Sequence, residues 1–246
     1  MGESDTRSGT DDFDFDTAYR DDSPFGARAP WDIDGPQPAF VALEQTAAIA
    51  GDVLDCGCGS GENVLFLATK GHTVTGVDLA PTAISIAQKK ARERGLTATF
   101  TTADALELTG YHDQFDTVID SALAHLFDPD QLTRYAAALH RACRVDATVH
   151  ILGISDRAFT FLRNEQSAVA EQLENQLPSD ALKLEDMLPS LTADHLRNGF
   201  AAGWAAESIT ETTLRTFMPF QTDPLDLPAR LGRFRRLASK TDPQTR

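Results

Sequence analysis

The 246-residue chain has no apolar run near 18 residues, which a membrane helix needs, and no basic, then apolar, then small-residue start of a secretory signal. A cytoplasmic protein is predicted. Cysteine is scarce, and the three present fit a reducing compartment. Cys56 and Cys58 lie one residue apart and Cys143 falls on a predicted helix. A C-x-C pair without further Cys or His at ligand spacing is a poor zinc signature, so no metal is expected. Positive charge is also short: the net charge is -15, acid is mostly Asp, and Arg greatly outnumbers Lys. That balance argues against a nucleic-acid partner, which needs a positive track, and the Asp and Arg bias predicts adaptation to high salt. Internal repeats are absent. The length and the 41% hydrophobic content predict one α/β domain with a substantial core.

The most informative stretch is Val53-Leu54-Asp55-Cys56-Gly57-Cys58-Gly59-Ser60-Gly61-Glu62-Asn63, where three alternate glycines follow a short apolar strand. Such a turn lets backbone approach a ligand closely. A second apolar strand, Thr73 to Asp78, ends about 20 residues on in an acid placed to meet a ribose. A nucleoside cofactor is predicted. The dinucleotide fingerprint G-x-G-x-x-G fails, because Glu62 stands where its third glycine belongs, and no Gly-Lys-Ser/Thr follows for a P-loop. Asp55, at the carboxyl end of the first strand, would repel a pyrophosphate but attract an ammonium group. S-adenosylmethionine carries an ammonium group and no phosphate.

With these residues the chain resembles the class I S-adenosylmethionine-dependent methyltransferases. Val53 to Gly61 is similar to their first motif and Gly76-Val77-Asp78-Leu79 to their second. Thr102-Ala103-Asp104-Ala105-Leu106 resembles the acid-bearing turn at the adenine, and Phe115 to Ser121 the fourth strand, which opens toward the methyl group. The four segments cover about residues 50 to 155 in βαβ order. The resemblance implies a doubly wound, mostly parallel seven-stranded sheet with helices on both faces. It also implies cofactor contacts from Asp55, Gly57, Cys58, Gly59 and Gly61 (methionine end), Asp78 and Leu79 (ribose), Asp104 and Ala105 (adenine), and Asp120 and Ser121 beside the methyl group.

Residues 1–12 are polar and Asp-rich and are expected to be disordered, leaving one domain over 13–246. Helices are predicted over Pro36–Ala50, Gly61–Lys70, Pro81–Arg94, from Asp128, and over Thr192–Gly203. Ala147–Ser155 reads as the fifth strand, and Trp204–Met218 as two more. Leu227, Leu231, Phe234 and Ala238 recur at helical spacing, so a packed helix with its arginines paired to acidic groups is expected there. Residues 156–190 lie outside the minimal fold and read as an inserted lid.

Tyr19 and Ala29-Pro30-Trp31-Asp32-Ile33-Asp34-Gly35-Pro36 resemble the amino-terminal segment of the thiol, halide, thiopurine and tellurite methyltransferases, whose aromatics close over the cofactor. That group often has Gly-Arg-Pro where this chain has Asp34-Gly35-Pro36. An aromatic face suits a sulfonium, and the alternative is that Trp31 only anchors residues 13–50 to the core. His125 follows the fourth strand and is either a general base or a structural histidine. A soft acceptor needs no base, because orientation alone supplies much of the rate. Asp156 and Arg157 are either substrate contacts or a surface pair. Methyl transfer to a small thiol, halide or chalcogen acceptor is the expected function. The rivals are an RNA or protein methyltransferase of the same fold and a non-catalytic cofactor-binding protein.

Overall fold

Short runs rich in Val, Ile and Thr between glycine turns become strands β1 (Asp52–Cys56), β2 (Thr73–Asp78), β3 (Thr99–Thr102), β4 (Phe115–Ser121) and β5 (Cys143–Ile154). Helices connect them: α1 (Pro38–Gln45) leads into β1, and α2 (Glu62–Thr69), α3 (Pro81–Glu93) and α4 (Pro129–Ala142) follow β1, β2 and β4. The chain then adds α5 (Ala158–Glu165), α6 (Ser167–Gln176), α7 (Ala193–Gly199), β6 (Trp204–Thr216) and β7 (Leu225–Arg236). This is a computed structural model in which residues 14–20, 23, 25, 28–176, 188–218 and 221–239 are described. The predicted tail 1–12 and the centre of the predicted lid, 177–187, lie outside the described residues.

The strands join in one sheet ordered β3-β2-β1-β4-β5-β7-β6, parallel from β3 to β5, with β7 antiparallel to both neighbours. The seven-stranded, mostly parallel expectation holds. Strand β1 pairs with β2 on one side and β4 on the other, which makes it the point where strand order reverses. In open α/β sheets the ligand crevice lies at the carboxyl ends beside such a point.

Apolar side chains fill both faces. Val53, Val64, Leu67, Ala87 and Phe100 pack on one, and Leu54, Leu132, Tyr135, Leu139 and Val149 on the other. Helix α4 is held at its start by a capping box: the Asp128 carboxylate accepts from the Gln131 N–H at 2.7 Å, and the Gln131 side chain accepts from the Asp128 N–H at 3.1 Å. Its buried stripe includes the predicted Leu132, Tyr135, Ala136 and Leu139.

Three expectations are corrected. Cys143 is not helical but opens β5, because α4 passes into that strand with no intervening loop. Residues Trp204–Met218 form one long strand to Thr216 instead of two. Most consequential, the arginine-rich stretch is not a helix but β7, wedged between β5 and β6. Its buried positions, Leu227, Ala229, Gly232, Phe234 and Arg236, include two small residues and a cation that a search for apolar spacing passes over. The arginines are paired as expected, Arg230 with Asp156 (2.7 Å), Arg233 with Glu207 (2.9 Å) and Arg235 with Asp146 (2.9 Å).

Candidate active site

The carboxyl ends of β1, β2 and β4 bring Asp55, Asp78 and Asp120 together. Between β1 and α2 the chain turns through Gly57, Gly59 and Gly61, all at positive φ, a conformation that favours glycine. Space matters as well. A Cβ on Gly59 would lie 2.7 Å from the Tyr19 hydroxyl, and one on Gly61 would lie 2.8 Å from the Phe100 ring.

Asp55, near the end of β1 just before this turn, is fully buried, and neither carboxylate oxygen has a hydrogen-bond partner. Burial, then the neighbouring Asp120 and Asp78, push its carboxyl well above the usual range. A buried carboxylate with two orphaned oxygens is costly unless a cation joins it. Asp78 is engaged instead: one oxygen accepts from the Gly59 N–H at 2.8 Å and the other from the Ala80 N–H at 2.9 Å. The acid of β2 therefore braces the glycine turn of β1. Leu79, next along, leaves 67% of its surface in solvent although it is a large apolar residue.

Asp120 is fully buried, and its carboxylate accepts from the N–H groups of Leu123 (3.0 Å) and Ala124 (3.1 Å). Those bonds hold the entrance to the 3-10 turn Ala124–Leu126, with the carboxylate shut off from solvent. Burial raises its pKa to about 7 against the two backbone bonds. Cys58 is buried with its sulfur 3.7 Å from the Gly59 oxygen, and burial raises its thiol. Asp104 lies at the other side of the crevice, on an exposed turn after β3, where it accepts from the Leu106 N–H at 2.8 Å. With Ala103, Glu107 and Tyr111 it lines an open groove, while Ala105 is not among the lining residues. Ser121 ends β4, paired with Leu152. Among the described residues no group of His, Cys, Asp and Glu could hold a metal.

The amino-terminal segment lies directly on the glycine turn. Trp31 donates its indole N–H to the Tyr19 hydroxyl at 2.7 Å, and the rings of Phe15, Tyr19 and Phe25 surround it at 6.1, 6.3 and 5.5 Å. Two carboxylates pin this cluster, Asp32 of the Pro30-Trp31-Asp32 stretch and Asp16, which no sequence motif marked. Asp16 accepts from the Thr82 N–H at 2.7 Å and so binds the start of α3, where the helix dipole favours an anion. Asp32 accepts from the Ser60 hydroxyl at 2.8 Å, and Lys90 donates to Ser60 and to Glu62 at 2.8 Å each. The signal for Asp16 was its place beside the aromatics of Phe15 and Tyr19, but its partner is 66 residues away.

His125, just after β4, bridges the end of that strand to β5. Strand β4 stops at Ser121, opposite Leu152, so the N–H of Ile154 on β5 has no strand to bond. The His125 Nδ1 accepts it at 3.0 Å. That bond fixes the tautomer, and burial lowers the imidazole pKa to about 3. Its basic nitrogen is therefore occupied. Arg157 pairs with Glu211 at 2.5 Å on the surface, and Asp156 pairs with the half-buried Arg230 at 2.7 Å.

A reversal point between parallel strands, a glycine turn at positive φ and acids at three strand ends define a doubly wound domain for a nucleoside cofactor. The family model described as a methyltransferase domain matches residues 53–146. The curated 2-heptyl-1-hydroxyquinolin-4(1H)-one methyltransferase of Mycobacteroides abscessus is 37% identical over 179 residues, 72% of this chain and 79% of that protein. A solved structure from the conversion of a disulfide bond into a thioacetal group during echinomycin biosynthesis is 52% identical, with a TM-score of 0.82 and 92% of each chain covered. The magnesium protoporphyrin IX methyltransferase of Synechocystis PCC 6803, solved with bound SAH, shares the fold at a TM-score of 0.54, with 19% identity and 80% of each chain covered. This chain belongs to the class I S-adenosylmethionine-dependent methyltransferases, and S-adenosylmethionine is its cofactor. Asp55 fits that group, since its two orphaned oxygens suit an ammonium.

Proposed function

We propose that the enzyme methylates a soft, already nucleophilic atom, a sulfur first of all, on a small molecule. The observation that carries this is the His125 imidazole, whose Nδ1 is committed to the Ile154 N–H. A general base needs a free lone pair at the acceptor, and this imidazole has none to give. The bound cofactor supplies a methyl group on a sulfonium. The protein's share is then to orient the two reactants and exclude water. Asp55 would hold the ammonium of the cofactor, Asp78 and Leu79 its ribose, and Asp104 and Ala105 its adenine. Tyr19 and Trp31 would close over it as a lid, with the inserted helices α5 and α6 covering the acceptor side.

Two supports come from relatives. The 52% identical structure belongs to work in which a disulfide becomes a thioacetal, a change at sulfur. The Mycobacteroides relative favours a second reading, an N-hydroxy-quinolinone acceptor, and an N-hydroxyl is acidic enough to ionise without an enzyme base. The net charge of -15 argues against a nucleic acid under either reading. A panel of thiols, disulfides, halides and 2-heptyl-1-hydroxyquinolin-4(1H)-one, assayed for methylated product, separates the possibilities. Methylation at sulfur is expected. Turnover of only an oxygen or nitrogen acceptor, with activity rising through a pKa between 6 and 8, would sink the proposal.

A further inference from the structure

The bond that removes His125 as a base makes it a donor. A neutral imidazole carries one proton, and a backbone N–H can only donate, so with Nδ1 accepting from Ile154 the proton resides on Nε2. His125 is partly exposed, and its Nε2 is not among the buried side-chain atoms left without a partner. The ring therefore offers an N–H at an accessible edge. The location is beside the crevice: Leu123, two residues earlier, sits against Gly57 of the glycine turn, where an added Cβ would meet its Cβ at 3.0 Å. On the other side Gly153 lies under the ring, so close that a Cβ there would be 3.0 Å from the His125 Cβ. Beyond this strand end the charged groups are paired: Arg230 of β7 meets Asp156, just after β5, at 2.7 Å and Glu211 of β6 at 3.9 Å.

We propose that His125 is a substrate-binding residue whose Nε2–H donates a hydrogen bond to an oxygen of the methyl acceptor other than the atom that is methylated. The inference rests on the methyl-transfer reading but not on sulfur as the acceptor atom. It names a substrate class: small molecules that carry a carbonyl or oxyanion in addition to the nucleophile. The quinolin-4(1H)-one named for the Mycobacteroides enzyme has such a carbonyl, at C4 across the ring from its N-hydroxyl. A fixed donor facing no oxygen would be left unpaired when substrate excludes water, so acceptors lacking the oxygen are rejected.

Two substitutions separate this role from a structural one. Asparagine places its Oδ1 where Nδ1 was and keeps the Ile154 bond but loses the donor. Glutamine places an N–H where Nε2 was and loses the Ile154 bond. With 2-heptyl-1-hydroxyquinolin-4(1H)-one and a thiol bearing an adjacent carbonyl, methyl thiosalicylate, as probes, His125→Asn should lower kcat/KM about tenfold or more. Its affinity for S-adenosylhomocysteine and its Tm should be unchanged. His125→Gln should be more active than His125→Asn and less stable. A purely structural histidine predicts the reverse ranking, and His125→Gln no better than His125→Asn overturns the proposal.

Should His125→Gln fail to fold, the wild-type chain with 15N-labelled histidine decides the matter. In the presence of S-adenosylhomocysteine, the His125 ring should stay neutral and protonated at Nε2 from pH 5 to pH 9. Its Nε2–H resonance should move on addition of the quinolinone. An Nδ1-protonated ring, protonation within that range, or an unmoved resonance each overturns the inference. A silent sulfur panel beside a quinolinone that is methylated and senses His125 would refute the sulfur reading alone.

Discussion

Replacing Asp120 by asparagine should stabilise the protein at neutral pH, although it removes a charge from the heart of the site. The carboxyl is fully buried, and its pKa rises from 3.8 to about 7, chiefly through burial. A carboxyl raised on folding binds its proton more tightly in the native state than in the unfolded one. Stability is therefore undiminished below pH 3.8 and falls as pH rises toward 7. The whole penalty is about 4 kcal/mol, of which about 2.5 kcal/mol falls between pH 5 and pH 8. Asparagine keeps an oxygen for the Leu123 and Ala124 N–H groups and carries no charge to bury. The buried His150, lowered to about 4, acts with opposite sign, since it gains stability as pH rises from 4 to 6.5. Comparing wild type with Asp120→Asn cancels that contribution. Denaturant unfolding at pH 5 and pH 8 should show the gain from the substitution growing with pH by about 2 to 3 kcal/mol. A pH-independent difference between the two proteins would refute the reasoning.

Asp78→Ala should weaken cofactor binding about tenfold to a hundredfold in calorimetry, since a charge-assisted bond contributes about 1.5 to 3 kcal/mol. It should also lower Tm, because the N–H groups of Gly59 and Ala80 lose their acceptor. Trp31→Ala should cost about fivefold in cofactor affinity through loss of the aromatic face, and an unchanged dissociation constant would reduce the ring cluster to an anchor. Gly61→Ala should cost about 2 to 4 kcal/mol, combining positive φ with contacts to Phe100 and Ala87, and a Tm equal to wild type would refute this.

The parallel half of the fold was legible in the chain because its signals are local. A strand ending in Gly57-x-Gly59-x-Gly61, an acid at position 78, Pro81 opening a helix and Asp128-Pro129 opening another each act within a few residues. The glycine turn and the acids at positions 55, 78 and 120 could be named for the same reason. Strand β7 could not. Its place depends on pairing Arg233 with His150 and Ser208, far apart in sequence, and its buried face is made of Ala229, Gly232 and Phe234, which show no apolar period. The role open to His125 was equally hidden, because the deciding atom is the Ile154 N–H, 29 residues away, left over where β4 ends before β5. The chain by itself determined the cofactor's turn, where chemistry and neighbours coincide in sequence. Tertiary structure decided what stands above and beside that turn, since only folding brings Asp16 to Thr82, Tyr19 to Gly59 and His125 to Ile154.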